Sequence, residues 1–169
     1  DRRLADRVFD LAWTHSQVVL RQLNATEADA QLYGRLAGSI IFAHSSLRAD
    51  PGIIARNRRG QSGLWGYSIS GDLPIVLLQI EDPANLNLAR QLIQARNYWH
   101  LKGLSVDLVI WNEDHAGYRQ ILHDQIMGLL ATGAETNVID RPGGIFVRST
   151  DQISAEDRIL IQTAARAII

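Results

Sequence analysis

The chain has 169 residues, 46% of them hydrophobic, and its 17 basic and 18 acidic side chains leave a formal net charge of −1. This length fits one domain with a real core but not two large domains. The balanced charge argues against a nucleic-acid partner, which usually meets a basic surface. Because the chain has no cysteine, disulfides, thiolate zinc sites and a cysteine nucleophile are excluded. No run of about 18 apolar residues occurs, so the sequence predicts no membrane span.

The first 43 residues are predicted to form a helical hairpin. In residues 2–23, apolar side chains recur at three- and four-residue steps, and Phe9 and Trp13 widen the apolar arc. A helix that is apolar over so much of its circumference is expected to be covered on more than one side. Thr26 and Asp29 have the spacing of a capping box, which predicts a second helix running to about Ala43.

Residues 44–73 are predicted to form a long irregular loop. Helical periodicity stops there, and the segment holds Pro51 and glycines at positions 52, 60, 63, 66 and 71. Asp50 followed by proline fits the start of a short helix. Leu64 and Trp65 argue against simple disorder. A loop of this length inside a compact domain is usually functional or an interface.

Residues 74–169 are predicted to alternate strands with helices, and strands separated in this way pair in parallel. We expect α/β architecture, with an N-terminal helical hairpin (1–43) followed by a small, mostly parallel three-layer βαβαβα unit (74–169), all in one domain spanning 1–169. The last helix is expected to begin after Ser154 and to run to the end of the chain. The strands are expected at residues 74–80, 106–111, 138–139 (short) and 145–147.

Polar side chains follow the first two main strands of this unit. Asp82 follows the first strand, and Asp114 and His115 follow the second, so all three are expected at one edge of a parallel sheet. Such a group of candidate strand-end residues could hold a metal or act as an acid–base pair. The alternative is that the two aspartates cap helices. Without paired histidines at metal spacing or a nucleophile motif, no catalytic, cofactor-binding or metal-ligating residue is assigned.

The irregular loop carries a second group of candidate residues, Arg59, Gln61, Trp65, Tyr67 and Asp72. Aromatic faces cover the apolar faces of sugars, while amides and carboxylates bind their hydroxyls. These five residues are therefore a candidate carbohydrate or module interface. The structural alternative is that Trp65 fills the gap between the hairpin and the sheet.

Four separated blocks of the sequence, in the same order, resemble the cyclic β-1,2-glucan synthases. Together they extend over nearly the whole chain and include the irregular loop. The blocks are FDLAWTHSQ at 9–17, RNRRGQSGLWGYSISGDLPIVL at 56–77, YWHLKGL at 98–104 and VDLVI at 106–110.

The resemblance implies that this chain is an internal fragment of a much larger bacterial inner-membrane protein, which fits a sequence that begins with Asp1. Such a parent is similar to a glucosyltransferase that uses UDP-glucose and a divalent metal. It is joined to regions resembling family 94 glycoside phosphorylases, formerly glycosyltransferase family 36. The implied partners are the β-sandwich and (α/α)₆ barrel modules of the same polypeptide and, as a ligand, β-1,2-glucan. The resemblance implies a cytoplasmic position for this domain, without a cofactor of its own, and its residues lack the barrel motif that holds the catalytic acid.

Two functions follow from this resemblance. In the first, the chain is a non-catalytic scaffold or docking domain of a cyclic β-1,2-glucan synthase, with loop 56–73 packing on a neighbouring module. An apolar patch at Leu64 and Trp65 is then expected on the isolated chain. In the second, the chain is a glucan-binding domain that contributes loop 56–73 to a carbohydrate transfer or phosphorolysis site. A free-standing hydrolase is a more remote third alternative, since no nucleophile motif is present.

Overall fold

A computed structural model describes residues 2–133 and 137–169. Two helices come first, and strands and helices alternate from residue 75 onward. The helices are α1 (Arg2–Gln22), α2 (Glu27–Ile41), α3 (Pro51–Arg56), α4 (Leu86–Leu101), α5 (Arg119–Ala131) and α6 (Ala155–Ala164), and the strands are β1 (Ile75–Ile80), β2 (Asp107–Asn112), β3 (Ile145–Ser149) and β4 (Ala165–Ile168).

The four strands form one parallel sheet in the order β3-β2-β1-β4. The chain adds β2 and β3 on one side of β1 and then crosses back to place β4 on the other side. In this register Leu77 of β1 pairs with Val109 of β2 and with Ile168 of β4. Strands β1 and β2 are buried along nearly their whole length, which is typical of a parallel sheet covered on both faces.

Helices cover both faces of the sheet, so the predicted three-layer α/β class is confirmed. On one face, Trp99 of α4 and Leu122 of α5 pack with Leu108 of β2, and α2 joins this layer. On the other face, Leu160 of α6 packs with Phe146 of β3. The side chains that complete this second layer come from the segment between α3 and β1, which the sequence predicts to be an irregular loop.

Three predicted helix starts are confirmed by their capping hydrogen bonds. The Asp29 amide donates to Thr26 Oγ1 at 3.1 Å and the Thr26 amide donates to Asp29 Oδ2 at 2.9 Å, which completes a capping box at α2. The Gly52 amide donates to Asp50 Oδ1 at 2.7 Å and starts α3. Ser154 accepts from the Asp157 amide at 3.2 Å and starts α6.

The prediction that the last helix runs to the end of the chain is wrong. The helix stops at Ala164, and the next residues form β4 beside β1, so the unit is βαβαβαβ. Ala165 and Ala167 are fully buried there, and the Ile169 amide donates to the Leu77 carbonyl at 2.9 Å. Alanine-rich sequence favours helix locally, but pairing with a distant buried strand decides the outcome. The short strand predicted at 138–139 is reduced to a single bridge from Ile139 to Ile145.

Most of α1 is uncovered in this structure. Its buried residues are Val19 and Leu20 near its C-terminal end, whereas Phe9 is 74% exposed and Leu11 is 71% exposed. The cover expected on more than one side of this helix is therefore not supplied by the described part of the chain. None of the helices in that part is long and apolar enough to cross a membrane.

Candidate functional site

The segment between α3 and β1 is packed against the sheet. Gln61–Tyr67 form a 3₁₀ helix, and Leu64, which is 2% exposed, joins Ile69 in the core beneath α6. A Cβ atom at Gly63 would come within 2.6 Å of Leu160 Cδ2. Glycine therefore lets the loop approach α6 more closely than any other residue could. Of the apolar patch expected at Leu64 and Trp65, the Leu64 part is wrong because this side chain is buried, whereas Trp65 is exposed.

Two of the five candidate loop residues bind the N-terminal turn of α6. Arg59 pairs with Asp157 Oδ1 at 3.1 Å and with Glu156 Oε2 at 2.9 Å, and the Tyr67 hydroxyl donates to Asp157 Oδ2 at 2.7 Å. The hydrogen bond from Tyr67, aided by Ser154 and Arg59, outweighs burial and lowers the pKa of Asp157. Burial, followed by the same hydrogen bond, raises the pKa of Tyr67. Arg59 and Tyr67 thus anchor the loop.

The other three candidates gather around the Ser70 carbonyl. Gln61 Nε2 donates to Ser70 O at 2.8 Å and to Asp72 Oδ1 at 3.0 Å, and Trp65 Nε1 donates to Ser70 O at 3.3 Å. The Trp65 ring is 64% exposed. The alternative in which Trp65 fills a gap between the hairpin and the sheet is therefore wrong. The structure brings Gln61, Trp65 and Asp72 together and separates them from the Arg59–Tyr67 anchor.

The aspartates at the strand ends are engaged in local backbone contacts. Asp82 Oδ1 accepts from the Ala84 amide at 2.8 Å, and Asp114 Oδ1 accepts from the Ala116 amide at 2.7 Å. Asp114 is buried and His115 is exposed. The contact of Asp82 agrees with the capping alternative, because it starts a short 3₁₀ helix. Asp114 instead closes a turn five residues before α5, so the prediction that it caps a helix is wrong. Nowhere in residues 2–133 and 137–169 do three His, Cys, Asp or Glu side chains come together to hold a metal ion.

Further polar groups at this edge join the ends of β2 and β3 to α5. Asn112 Nδ2 donates to the Arg119 carbonyl at 2.8 Å, and Arg119 forms an ion pair with Asp151. The nearby Ser149 hydroxyl, followed by the charge of Arg119, lowers the pKa of Asp151. These contacts hold elements in place. Sequence periodicity gives no signal for the ion pair, because Arg119 and Asp151 lie 32 residues apart in the chain.

The exposed part of α1 carries a continuous apolar surface, here called the α1 surface. It extends over roughly 220° of the helix circumference at about 100° per residue. The remaining arc mixes both charges, with Asp6 and Asp10 beside Arg7. The shallow groove at the centre of the α1 surface is lined by Leu4, Ala5, Val8, Phe9 and Ala12.

A separate cleft, here called the α1–α4 cleft, lies where the C-terminal half of α1 meets α2 and α4. It has a volume of about 290 Å³ and both aromatic and polar walls. The sequence gives no sign of this cleft, because its walls come from three different helices, one of them about 70 residues further along the chain. Its principal lining residues are Trp13, Gln17, Glu27, Gln31 and Tyr98.

The fold defines a doubly wound α/β domain, since the sheet is parallel, helices lie on both faces and the strand order reverses beside β1. The segment after β1 begins Glu81-Asp82-Pro83 and has none of the glycines that cradle phosphates in dinucleotide-binding members of this class. The described residues thus present an α/β scaffold with two exposed tryptophans and an uncovered helix.

The chain is 32% identical over 158 residues to the cyclic β-(1,2)-glucan synthase NdvB of Rhizobium meliloti (strain 1021). The match covers 93% of this chain but 6% of that protein's length. No protein-family model matches the chain. The resemblance predicted from the four sequence blocks is therefore confirmed, and it places this chain alongside one short segment of a very long relative.

Proposed function

We propose that this chain is a non-catalytic docking domain of a bacterial cyclic β-1,2-glucan synthase. The observation that carries the proposal is the α1 surface, which is strongly apolar and uncovered in a chain similar to a short segment of a much longer synthase. Exposed apolar surfaces of this kind usually mark contacts with another protein surface. The proposed occupant is an apolar face of a neighbouring module of the same polypeptide.

The shape and charge of α1 favour such a module over other occupants. Pairing with α1 of a second copy would cover a narrow stripe along the helix, whereas the apolar arc extends over roughly 220°. A helix lying on an anionic membrane usually has a polar face rich in Lys and Arg. The polar face of α1 instead mixes both charges, with Asp6 and Asp10 placed among Arg3, Arg7 and Arg21. A groove in a folded neighbouring module fits both the wide apolar arc and the mixed charge of the polar face.

The contacts of the candidate site residues support a role without catalysis. Asp82 and Asp114 cap local turns, and Arg59 and Tyr67 anchor a loop. The proposal therefore assigns glucosyl transfer from UDP-glucose, any divalent metal and any phosphorolysis to other parts of the parent. It also assigns the inner-membrane location, the β-sandwich and the (α/α)₆ barrel to the parent.

The test is a double substitution, Leu4→Gln with Leu11→Gln, in the whole synthase. We expect faster limited proteolysis around this domain and a changed distribution of glucan chain lengths, because the contact with the neighbouring module is weakened. The matched control is Ile121→Gln on α5, an apolar residue that is 51% exposed away from α1. Unchanged proteolysis and chain lengths in the double variant would contradict the proposal. Dimers or vesicle binding of the isolated chain that depend on Leu4 and Leu11 would instead identify a second copy or a lipid surface as the occupant.

A second candidate function is glucan binding by loop 56–73. The observation that favours it is the exposed ring of Trp65 beside Gln61 and Asp72. Aromatic stacking with adjacent amide and carboxylate groups suits a sugar ring. Calorimetric titration with β-1,2-linked glucose oligosaccharides tests this candidate. Heat that disappears in Trp65→Ala would support it, whereas no heat at millimolar sugar would remove it.

A further inference from the structure

The α1–α4 cleft has the dimensions of a small-ligand site. Its volume of about 290 Å³ lies at the lower end of the range found for small-molecule pockets, roughly 300 Å³ and above. A space of this size suits one or two sugar rings better than a long segment of protein. Leu20 and Ala30 add apolar surface, so the cleft can cover the C–H face of a ring.

Two aromatic side chains from different helices contribute to the cleft. Trp13 is 59% exposed, so most of its indole is open to solvent. Tyr98 is held by its neighbours, because its ring packs on Tyr33 with centroids 5.9 Å apart and Lys102 Nζ lies 5.8 Å from its centroid. Lys102 Nζ also donates to Ser16 Oγ of α1 at 3.3 Å. One wall of the cleft is therefore fixed before any ligand arrives.

The polar wall offers both donors and acceptors for hydroxyl groups. Gln17 Nε2 donates to Glu27 Oε1 at 3.2 Å, which ties α1 to the start of α2. Across the described ranges, the side-chain amide of Gln31 takes part in no hydrogen bond within the chain. This amide is exposed to solvent, and it can donate to and accept from a ligand hydroxyl without breaking an internal contact.

This arrangement differs from the surroundings of Trp65. The indole N–H of Trp65 and the amide of Gln61 are already bound to the Ser70 carbonyl. A sugar at Trp65 would have to compete with these contacts, whereas a sugar at Trp13 would meet the unpaired amide of Gln31. Trp13 lies at one edge of the α1 surface, roughly 140° or more around the helix from Leu4, Val8 and Leu11, and none of these three residues lines the α1–α4 cleft.

We infer that the α1–α4 cleft binds glucose units of a β-linked glucan, with Trp13 stacking on the sugar ring and Gln31 and Glu27 bonding its hydroxyls. The choice of a neutral sugar rests on the proposed function, because the similar protein is a glucan synthase. The site would hold product or growing chain next to the catalytic modules of the parent. It makes and breaks no covalent bond.

The four tryptophans make the test direct, because each gives its own indole N–H signal in a ¹H–¹⁵N spectrum. Single Trp→Phe variants assign the signals. Titration of this chain with β-1,2-linked glucose oligosaccharides is expected to shift the Trp13 signal with a Kd on the order of 1 mM, an affinity suited to one or two weakly held rings. Trp99 and Trp111, which are buried, and Trp65 are expected to remain unshifted.

Variants separate the cleft from other sites. Trp13→Ala is expected to weaken sugar binding at least tenfold and Gln31→Ala several-fold, while Trp65→Ala leaves binding unchanged. Because Trp13 is exposed, its replacement should leave the urea midpoint close to that of the wild type. A sugar-dependent shift at Trp65 alone would overturn the inference and support loop binding, and no shift at either residue would also overturn it. Neither result bears on docking, which is tested separately through Leu4 and Leu11 in the whole synthase.

Discussion

A segment with regular apolar periodicity is usually buried, and a loop is usually exposed. Helix α1 and loop 56–73 show the reverse. The helix has the clearest apolar periodicity in the chain, yet Leu11 is 71% exposed. The loop has no periodicity and four glycines, yet Leu64 lies in the core. An apolar pattern thus indicates surface that avoids water, but it does not indicate which part of a protein covers that surface. In this chain the loop covers one face of the sheet, whereas the apolar side chains of the helix stay uncovered.

The largest expected difference between the two regions comes from the same substitution in each. Leu64→Ala should lower the free energy of unfolding by about 3 kcal/mol, because it leaves a cavity between the sheet and α6. Leu11→Ala should change it by no more than about 0.5 kcal/mol, since that side chain is exposed. Urea denaturation of the isolated chain measures both values. Equal losses would contradict this difference, because α1 would then be part of the folded core.

Gly71 lies at a tightly packed point of the loop. It has φ of +81°, and a Cβ there would lie 2.7 Å from Gln61 Cγ and 3.0 Å from Leu64 Cδ1. Gly71→Ala should therefore cost about 2 kcal/mol through backbone strain and displacement of these side chains. Gly66→Ala is the matched control, because no heavy atom lies within 4 Å of its added Cβ. Denaturation midpoints that fall equally in both variants would mean that the loop is not packed as described.

Tyr67→Phe tests the anchor between the loop and α6. Loss of the hydroxyl bond to Asp157 should cost about 1 kcal/mol at neutral pH. Because that bond lowers the folded pKa of Asp157, its contribution is present above the unfolded pKa of about 3.9 and is lost as pH falls through the lower folded value. Unfolding measured from pH 7 down to about pH 2 should thus show the two proteins converging. A difference that grows in acid would contradict the assigned charge state.

The smallest effect on stability is expected on α1 itself. Leu11→Ser should leave the free energy of unfolding within about 0.5 kcal/mol of the wild type. It should nevertheless reduce binding of the dye ANS, because it interrupts the exposed apolar surface. Fluorescence titration of the wild type, Leu11→Ser and the control Ile121→Ser measures this. An equal reduction in the control would mean that the α1 surface is not distinctive.

Local sequence rules predicted those parts of the fold that depend on neighbouring residues. The caps at Thr26, Asp50 and Ser154 and the buried strand after Pro74 were accessible because each is set within a few positions of the chain. Strand β4 was not predictable in this way, because Ala165 and its neighbours become a strand by pairing with β1, some 90 residues earlier in the sequence.

The same distinction between local and distant contacts applies to the candidate site. Sequence composition pointed to Trp65, Gln61 and Asp72, which do lie together. It gave no sign that Arg59 and Tyr67 would bind α6, since Asp157 is about 90 residues away. The α1–α4 cleft could not be predicted from sequence either, because Trp13 and Tyr98 are brought together only by the packing of helices that are distant in the chain.

Thiol labelling can show whether the α1 surface is covered in the proposed parent synthase. The chain has no cysteine, so Val8→Cys adds a single thiol to it, and mass spectrometry follows that site in the isolated chain and in the whole synthase. We expect rapid labelling in the isolated chain and strong protection in the synthase, because a neighbouring module would cover Val8 there. Gln120→Cys on the exposed side of α5 should be labelled at the same rate in both. Equally rapid labelling of Val8→Cys in both proteins would contradict the claim.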